Sequence, residues 1–119
     1  MKLIQAEQYR KLIEQGRATA AAYAEGQEPP DHKPVVKLFT PDANCTWLIA
    51  ELDPDEPDIA YGLCDLGLGC AELGSVRISE IERVRGPFGL KPERDRSFQA
   101  NRSLGEYAAI ARKNGGIIA

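Results

Sequence analysis

The sequence predicts an α+β fold: an antiparallel sheet of four or five strands in meander order, packed with an N-terminal helix, a short middle helix and a C-terminal helix. Three observations lead there. Apolar residues recur at three- and four-residue spacing from Ala6 to Ala24. β-Branched and aromatic runs between Val35 and Ile78 are separated by short connections rich in Pro, Gly, Asp and Asn. Two Ser-x-x-Glu capping boxes, Ser79 with Glu82 and Ser103 with Glu106, each open a further helix. With 119 residues and 43% hydrophobic content, the chain fits one domain, residues 1–119, able to bury a core without disulfides or metal.

In the first helix Tyr9, Leu12, Ile13, Gly16, Ala20 and Tyr23 form the stripe expected on the core, with Gly16 as the point where it bends. Gly26, Pro29 and Pro30 end it. Val35 to Thr40 reads as the first strand, and Pro41-Asp42-Ala43-Asn44 as the hairpin turn that follows. Cys45 to Leu52 carries Trp47 and Ile49 on one face and Leu48, Ala50 and Leu52 on the other, as a strand covered on both sides does. Asp53-Pro54-Asp55-Glu56-Pro57-Asp58 cannot continue a strand and forms a loop tip. Ile59, Tyr61 and Leu63 then alternate with Ala60, Gly62 and Cys64. A fourth strand ends at Val76 and Ile78, with Gly74 as a candidate bulge.

The middle helix starts at the Ser79 box, buries Ile81 and Val84, and stops at Arg85 before Gly86-Pro87. The segment from Arg85 to Asp95 is too rich in Pro and Gly for regular structure, so Phe88 and Leu90 are expected to pin it to the core. Arg96 to Ala100 is a candidate short edge strand. In the last helix Leu104, Tyr107, Ala108 and Ala111 share a face, and Asn114-Gly115-Gly116 ends it.

Charge is unevenly distributed behind a net value of −3. Between Asp42 and Glu82 ten carboxylates face Arg77 alone; between Arg83 and Lys113 eight bases face Glu93, Asp95 and Glu106. Such polarity reads first as two segments attracting each other within the fold, because the whole chain is acidic, and second as a phosphate-contacting surface. Arg83, Arg85, Lys91, Arg94 and Arg96, with Phe88 among them, are the candidate binding residues. Guanidinium groups fork onto phosphate and an aromatic ring stacks on an unpaired base. The competing reading pairs these bases with Glu80, Glu82, Glu93 and Asp95.

The acidic residues Asp42, Asp53, Asp55 and Asp58 are the candidate ligands in an alternative reading with a divalent cation as cofactor, since hard cations need several carboxylate oxygens. A calcium-loop pattern is absent, and the loop from Asp53 to Asp58 reads first as a solvated sheet rim with no cofactor. His32 is the only histidine, which excludes a zinc site with several histidines, and no nucleophile motif surrounds Cys45 or a serine to make it a catalytic base. Gly67-Leu68-Gly69 places Glu72 where a dinucleotide fingerprint needs its third glycine. Cys45, Cys64 and Cys70 are expected to be reduced and packed in apolar surroundings, with Cys64 and Cys70 opposite each other across a hairpin. No apolar run approaches the roughly 20 residues of a membrane span, and Met1-Lys2-Leu3-Ile4-Gln5 lacks a signal-peptide core, so the expected compartment is the cytoplasm.

The ordered segments LFTPDANCTW, ELDPDEPDIAYGLCDLGLG and ELGSVRISEIERVRGPFGLKPERD resemble a bacterial family of domains of unknown function, DUF2958. The resemblance runs from Met1-Lys2-Leu3 to the helix around Tyr107. It implies a small α+β domain associated with plasmids and integrated mobile elements, near genes for anti-restriction and DNA processing. Some family members carry the label of single-stranded DNA endonuclease, and no catalytic residue set is carried over with it. Together these readings give a non-enzymatic accessory module whose partner is a protein or a single-stranded nucleic acid; the alternative is a metal-dependent endonuclease acting on single-stranded DNA.

Overall fold

The computed structural model describes residues 3–119. The elements are α1 (Ala6–Ala24), β1 (Val36–Phe39), β2 (Thr46–Leu52), β3 (Ile59–Asp65), β4 (Glu72–Arg77), α2 (Ile78–Arg83), β5 (Glu93–Arg94) and α3 (Leu104–Asn114). The sheet runs in the order β4-β3-β2-β1-β5, with every pair antiparallel. Four consecutive strands form the expected meander, because short turns can join only antiparallel neighbours. The fifth strand returns to the open side of β1.

Helices cover both faces of the sheet. Leu12 of α1 and Ile81 of α2 pack with Val36, Leu38, Trp47, Ile49, Leu52 and Ala60. On the opposite face Leu104, Tyr107, Ala108 and Ala111 of α3 pack with Leu48, Ala50 and Leu63. β2 therefore lies in the middle and is buried on both sides. One detail differs from the expected alternation: Leu52 joins Trp47 and Ile49, not Leu48 and Ala50. The register between β2 and β3 shifts between Ile49 and Glu51, so Ala50 is a bulge, and one extra residue moves every later side chain to the other face. The carbonyl oxygen of Ala50 accepts from Gln15 Nε2 at 2.6 Å. No bulge forms at Gly74, which pairs in register with Gly62.

The stripe on α1 is narrower than its spacing implies. Leu12 and Gly16 are buried, but Tyr9 and Tyr23 are exposed. Gly16 serves close approach: a Cβ there would overlap the carbonyl oxygen of Leu52. Gln8 closes the start of α1 by accepting from the Gln5 amide at 3.0 Å.

α2 starts two residues earlier than the Ser79 box predicts, with Arg77 and not Ser79 at its N-cap. Glu80 accepts from the Arg77 amide at 3.1 Å, and Ser79 turns away to Asp58, which accepts from its amide at 2.9 Å and from its hydroxyl at 2.6 Å. A carboxylate across the hairpin outcompetes the local Glu82, since bonds to an ionised acceptor are the stronger ones. The helix ends at Arg83 and Val84 adopts extended geometry.

The last strand is Glu93–Arg94, not the 96–100 segment. Pro92 is buried ahead of it, the Asp95 amide donates to the Lys37 carbonyl at 2.9 Å, and Asp95 Oδ1 accepts from the Ser97 amide, a turn that ends the pairing. At α3 the second capping box forms as read: Ser103 Oγ accepts from the Glu106 amide at 3.2 Å and Glu106 accepts from the Ser103 amide at 2.9 Å. The three cysteines are free thiols, but Cys70 is exposed. Cys64 pairs with Glu72 across the β3–β4 hairpin and not with Cys70, because the connection between the strands is longer than a symmetric turn about Gly67. No helix among the described residues is long and apolar enough to cross a membrane.

Candidate functional site

The Arg83 to Arg96 segment is shaped by one tight turn. The Gly89 amide donates to the Gly86 carbonyl at 2.9 Å, and the Gly86 amide to the Leu90 carbonyl at 3.1 Å. Pro87 and Phe88 are its central residues; among the described residues none other than glycine has positive φ, so the turn is of type I, with Gly89 taking the left-handed position after it at φ 79°. Arg85 and Lys91 flank this closed turn, with Phe88 at its tip.

The turn is held from outside by Asp42. Its Oδ2 accepts from the amides of Phe88 at 2.8 Å and Leu90 at 3.4 Å, while Gly86 leaves the space its carboxylate needs. Asp42 itself projects from the β1–β2 turn, where the Thr40 hydroxyl accepts from the Cys45 amide at 3.0 Å. Bonding to the turn's own backbone braces it without using its side chains. Phe88 is 85% exposed and Leu90 47% exposed, contrary to the expectation that both pin the segment to the core. Pro92 is the buried anchor instead, because Asp42 already satisfies the turn's amides and its side chains are left over.

The candidate basic residues fall into two groups. Arg83, Arg85 and Lys91 are exposed and form no ion pair among the described residues. Arg85 Nη1 donates to the carbonyls of Glu82 and Val84, at 2.8 and 2.7 Å, and caps the end of α2. Arg94 and Arg96 lie further along, beside β1. Arg94 pairs with Leu38, and its Nη1 donates to the Leu3 carbonyl at 2.8 Å, which ties β5 to the start of the chain. Arg83, Arg85 and Lys91 are therefore not neutralised by ion pairs with the acidic middle among the described residues. Asp95 pairs with Lys37 at 3.6 Å, and Arg77 serves the acidic loop, meeting Glu56 at 3.1 Å and Asp58 at 3.6 Å.

The four candidate metal-binding aspartates are not brought together. Asp42 lies at the opposite end of β2 from the other three, a separation of about 20 Å for a strand of this length. Asp53 Oδ1 accepts from the amides of Asp55 and Glu56, at 2.9 and 3.3 Å, and shapes the loop. Asp58 is bound by Ser79 and Arg77; the Ser79 hydroxyl above all, with its amide and the Arg77 charge, holds the Asp58 carboxyl below its ordinary value. Among the described residues no group of three or more His, Cys, Asp and Glu is placed to hold a metal ion.

A second feature, which the sequence reading missed, is a groove of about 600 Å³ between the C-terminal half of α1, residues 29–31 and the β2–β3 loop. Glu51 on its wall accepts from the Thr19 hydroxyl at 2.7 Å and lies 4.0 Å from His32 Nε2. Tyr61 also lines it; burial, then the Glu51, Tyr23 and Asp31 groups, push its phenol above the ordinary tyrosine value. The bulge at Ala50 turns Leu52 toward α1 at this groove, and nothing local in the sequence announces it.

A family model described as "Protein of unknown function (DUF2958)" matches residues 3–118. No curated protein and no solved structure matches the chain.

Proposed function

The chain belongs to the DUF2958 family, and from that premise we propose that it is a non-enzymatic interaction module that contacts single-stranded nucleic acid through Arg83, Arg85, Phe88 and Lys91, in the plasmid and mobile-element setting that the resemblance implies. One observation carries the reading: an aromatic ring 85% exposed, at the tip of a turn whose backbone Asp42 braces from outside. Holding such a ring in water on a braced turn costs conformational entropy and buries nothing for the fold, and a ligand that stacks on the ring would supply that burial. Base stacking on an aromatic ring contributes roughly 1–3 kcal/mol per base and accepts any base. The flanking cations, without ion pairs among the described residues, supply the phosphate contacts. Arg94 and Arg96 extend the basic track along the sheet edge.

The net charge of −3 opposes this attraction at long range, so binding is local, modest and salt-dependent. Fluorescence anisotropy with labelled oligothymidylate tests the proposal. Affinity should fall with rising salt, and Phe88→Ala should weaken it roughly tenfold. Affinity unchanged in Phe88→Ala and in Arg85→Ala with Lys91→Ala would overturn it.

A further inference from the structure

The groove at the other end of β2 has the opposite chemistry. Its walls carry Asp31, Glu51, Asp53 and Asp55 together with the rings of Tyr23 and Tyr61, and neither lysine nor arginine lines it. Four carboxylates line one cavity without a lysine or arginine among them, and the only nearby imidazole, His32, has its Nε2 4.0 Å from Glu51. The hydrogen bonds that Asp31, Glu51 and Asp53 make each fall on one oxygen: Asp31 Oδ1 on the Gly105 amide, Glu51 Oε2 on Thr19, Asp53 Oδ1 on its own loop. These bonds fix the carboxylates in place. Phenol rings beside them offer the negative face that attracts an organic cation.

We infer that this groove is a binding site for an arginine or lysine side chain presented by an extended segment of a partner protein. Charge complementarity selects the occupant: nucleic acid is repelled, and a divalent cation lacks three ligands converging among the described residues. A guanidinium or ammonium group fits both halves of the lining, bonding to carboxylates and stacking on tyrosine. Tyr23, 66% exposed, stands at the rim, so a ligand reaching the walls continues outward past it. That favours a tethered side chain over a small molecule enclosed whole, which a closed pocket would bury almost completely. Pro29, Pro30 and Pro54 line the groove with rigid, unentangling backbone along which a peptide can lie.

A titration followed by amide NMR tests this in the full chain, using a blocked Gly-Arg-Gly-Arg-Gly peptide, its citrulline analogue and spermidine. The arginine peptide should give saturable shifts at Thr19, Tyr23, Asp31 and Tyr61, and the neutral analogue none. Tyr23→Ala should weaken binding roughly fivefold and Asp55→Asn roughly threefold; both side chains are exposed, so the fold is kept. Absence of saturation, an equal response to citrulline, or unchanged affinity in both variants overturns the inference. Tighter binding of spermidine than of the peptide overturns the assignment to a protein partner. Binding of oligothymidylate is expected to survive both variants, which separates this groove from the Phe88 turn.

Discussion

Asp42 Oδ2 accepts the Phe88 amide at 2.8 Å across 46 residues of chain, joining the β1–β2 turn to the turn at Gly86. Two of the segments that carry the family resemblance, around Thr40-Pro41-Asp42 and Val84 to Leu90, thus meet at one carboxylate. Asp42→Ala removes the acceptor for two exposed amides, which water then takes over, so the stability cost is about 1–2 kcal/mol. The larger effect is on order. Amide exchange at Phe88 and Leu90 should accelerate, and oligothymidylate affinity should fall several-fold, with Asp42→Asn intermediate because it keeps one acceptor oxygen. Exchange at Phe88 that stays as slow as in the parent protein would show that the carboxylate does not brace the turn.

Gly16→Ala opposes two effects of different size. Alanine gains up to about 1 kcal/mol of helix propensity, but its methyl group overlaps the Leu52 carbonyl, and backbone overlap in a packed layer costs typically 1–3 kcal/mol or more. We expect net destabilisation of about 2 kcal/mol by urea denaturation. A more stable Gly16→Ala protein would mean that α1 does not sit this close to β2.

Local signals made α1 and α3 legible, down to the ends of α1 and the Ser103 box, because helix spacing and caps are set by residues within one turn of each other. Ala50 shows where such reading stops. No Gly or Pro marks it; the bulge exists because β3 lacks an opposing residue there, and only pairing reveals that. Leu52 was consequently assigned to the wrong face, and the Glu51 groove was invisible. Phe88 failed for another reason: an apolar residue in an irregular segment reads as an anchor, and only the bond from Asp42 frees it from that duty. Ser79 obeyed a distant carboxylate over its own capping partner.

Gln15 gives a test of the bulge itself. Its Nε2 donates to the Ala50 carbonyl at 2.6 Å and to the Lys33 carbonyl at 3.3 Å. Gln15→Leu would leave a carbonyl of the buried Ala50 without that partner, at a cost of about 1–3 kcal/mol, whereas Gln15→Glu should cost at least as much because a carboxylate faces the same oxygen. Stability is again read by urea denaturation. If both variants match the parent protein, the bulge does not depend on α1.

Asp58 links the acidic loop to α2, and its response to pH follows from its partners. The Ser79 hydroxyl and amide, with Arg77, hold its folded carboxyl below the ordinary aspartate value. A depressed folded value means the unfolded chain takes up the proton first on acidification. Its contribution is therefore present at neutral pH and is lost as pH falls through the range below about 4. Glu106, held low by the Ser103 amide and hydroxyl, adds a contribution of the same sign at the start of α3. Asp58→Asn should thus be less stable than the parent protein at pH 7, and the gap in urea midpoint should close by about pH 3. Ser79→Ala, which removes the strongest of the partners, should narrow the same gap. Arg77→Ala should change it less, because its ion pairs are exposed and screened by salt. A gap between parent and Asp58→Asn that is constant from pH 7 to pH 3 would mean that the Ser79 bonds do not distinguish the charged carboxylate from the neutral one.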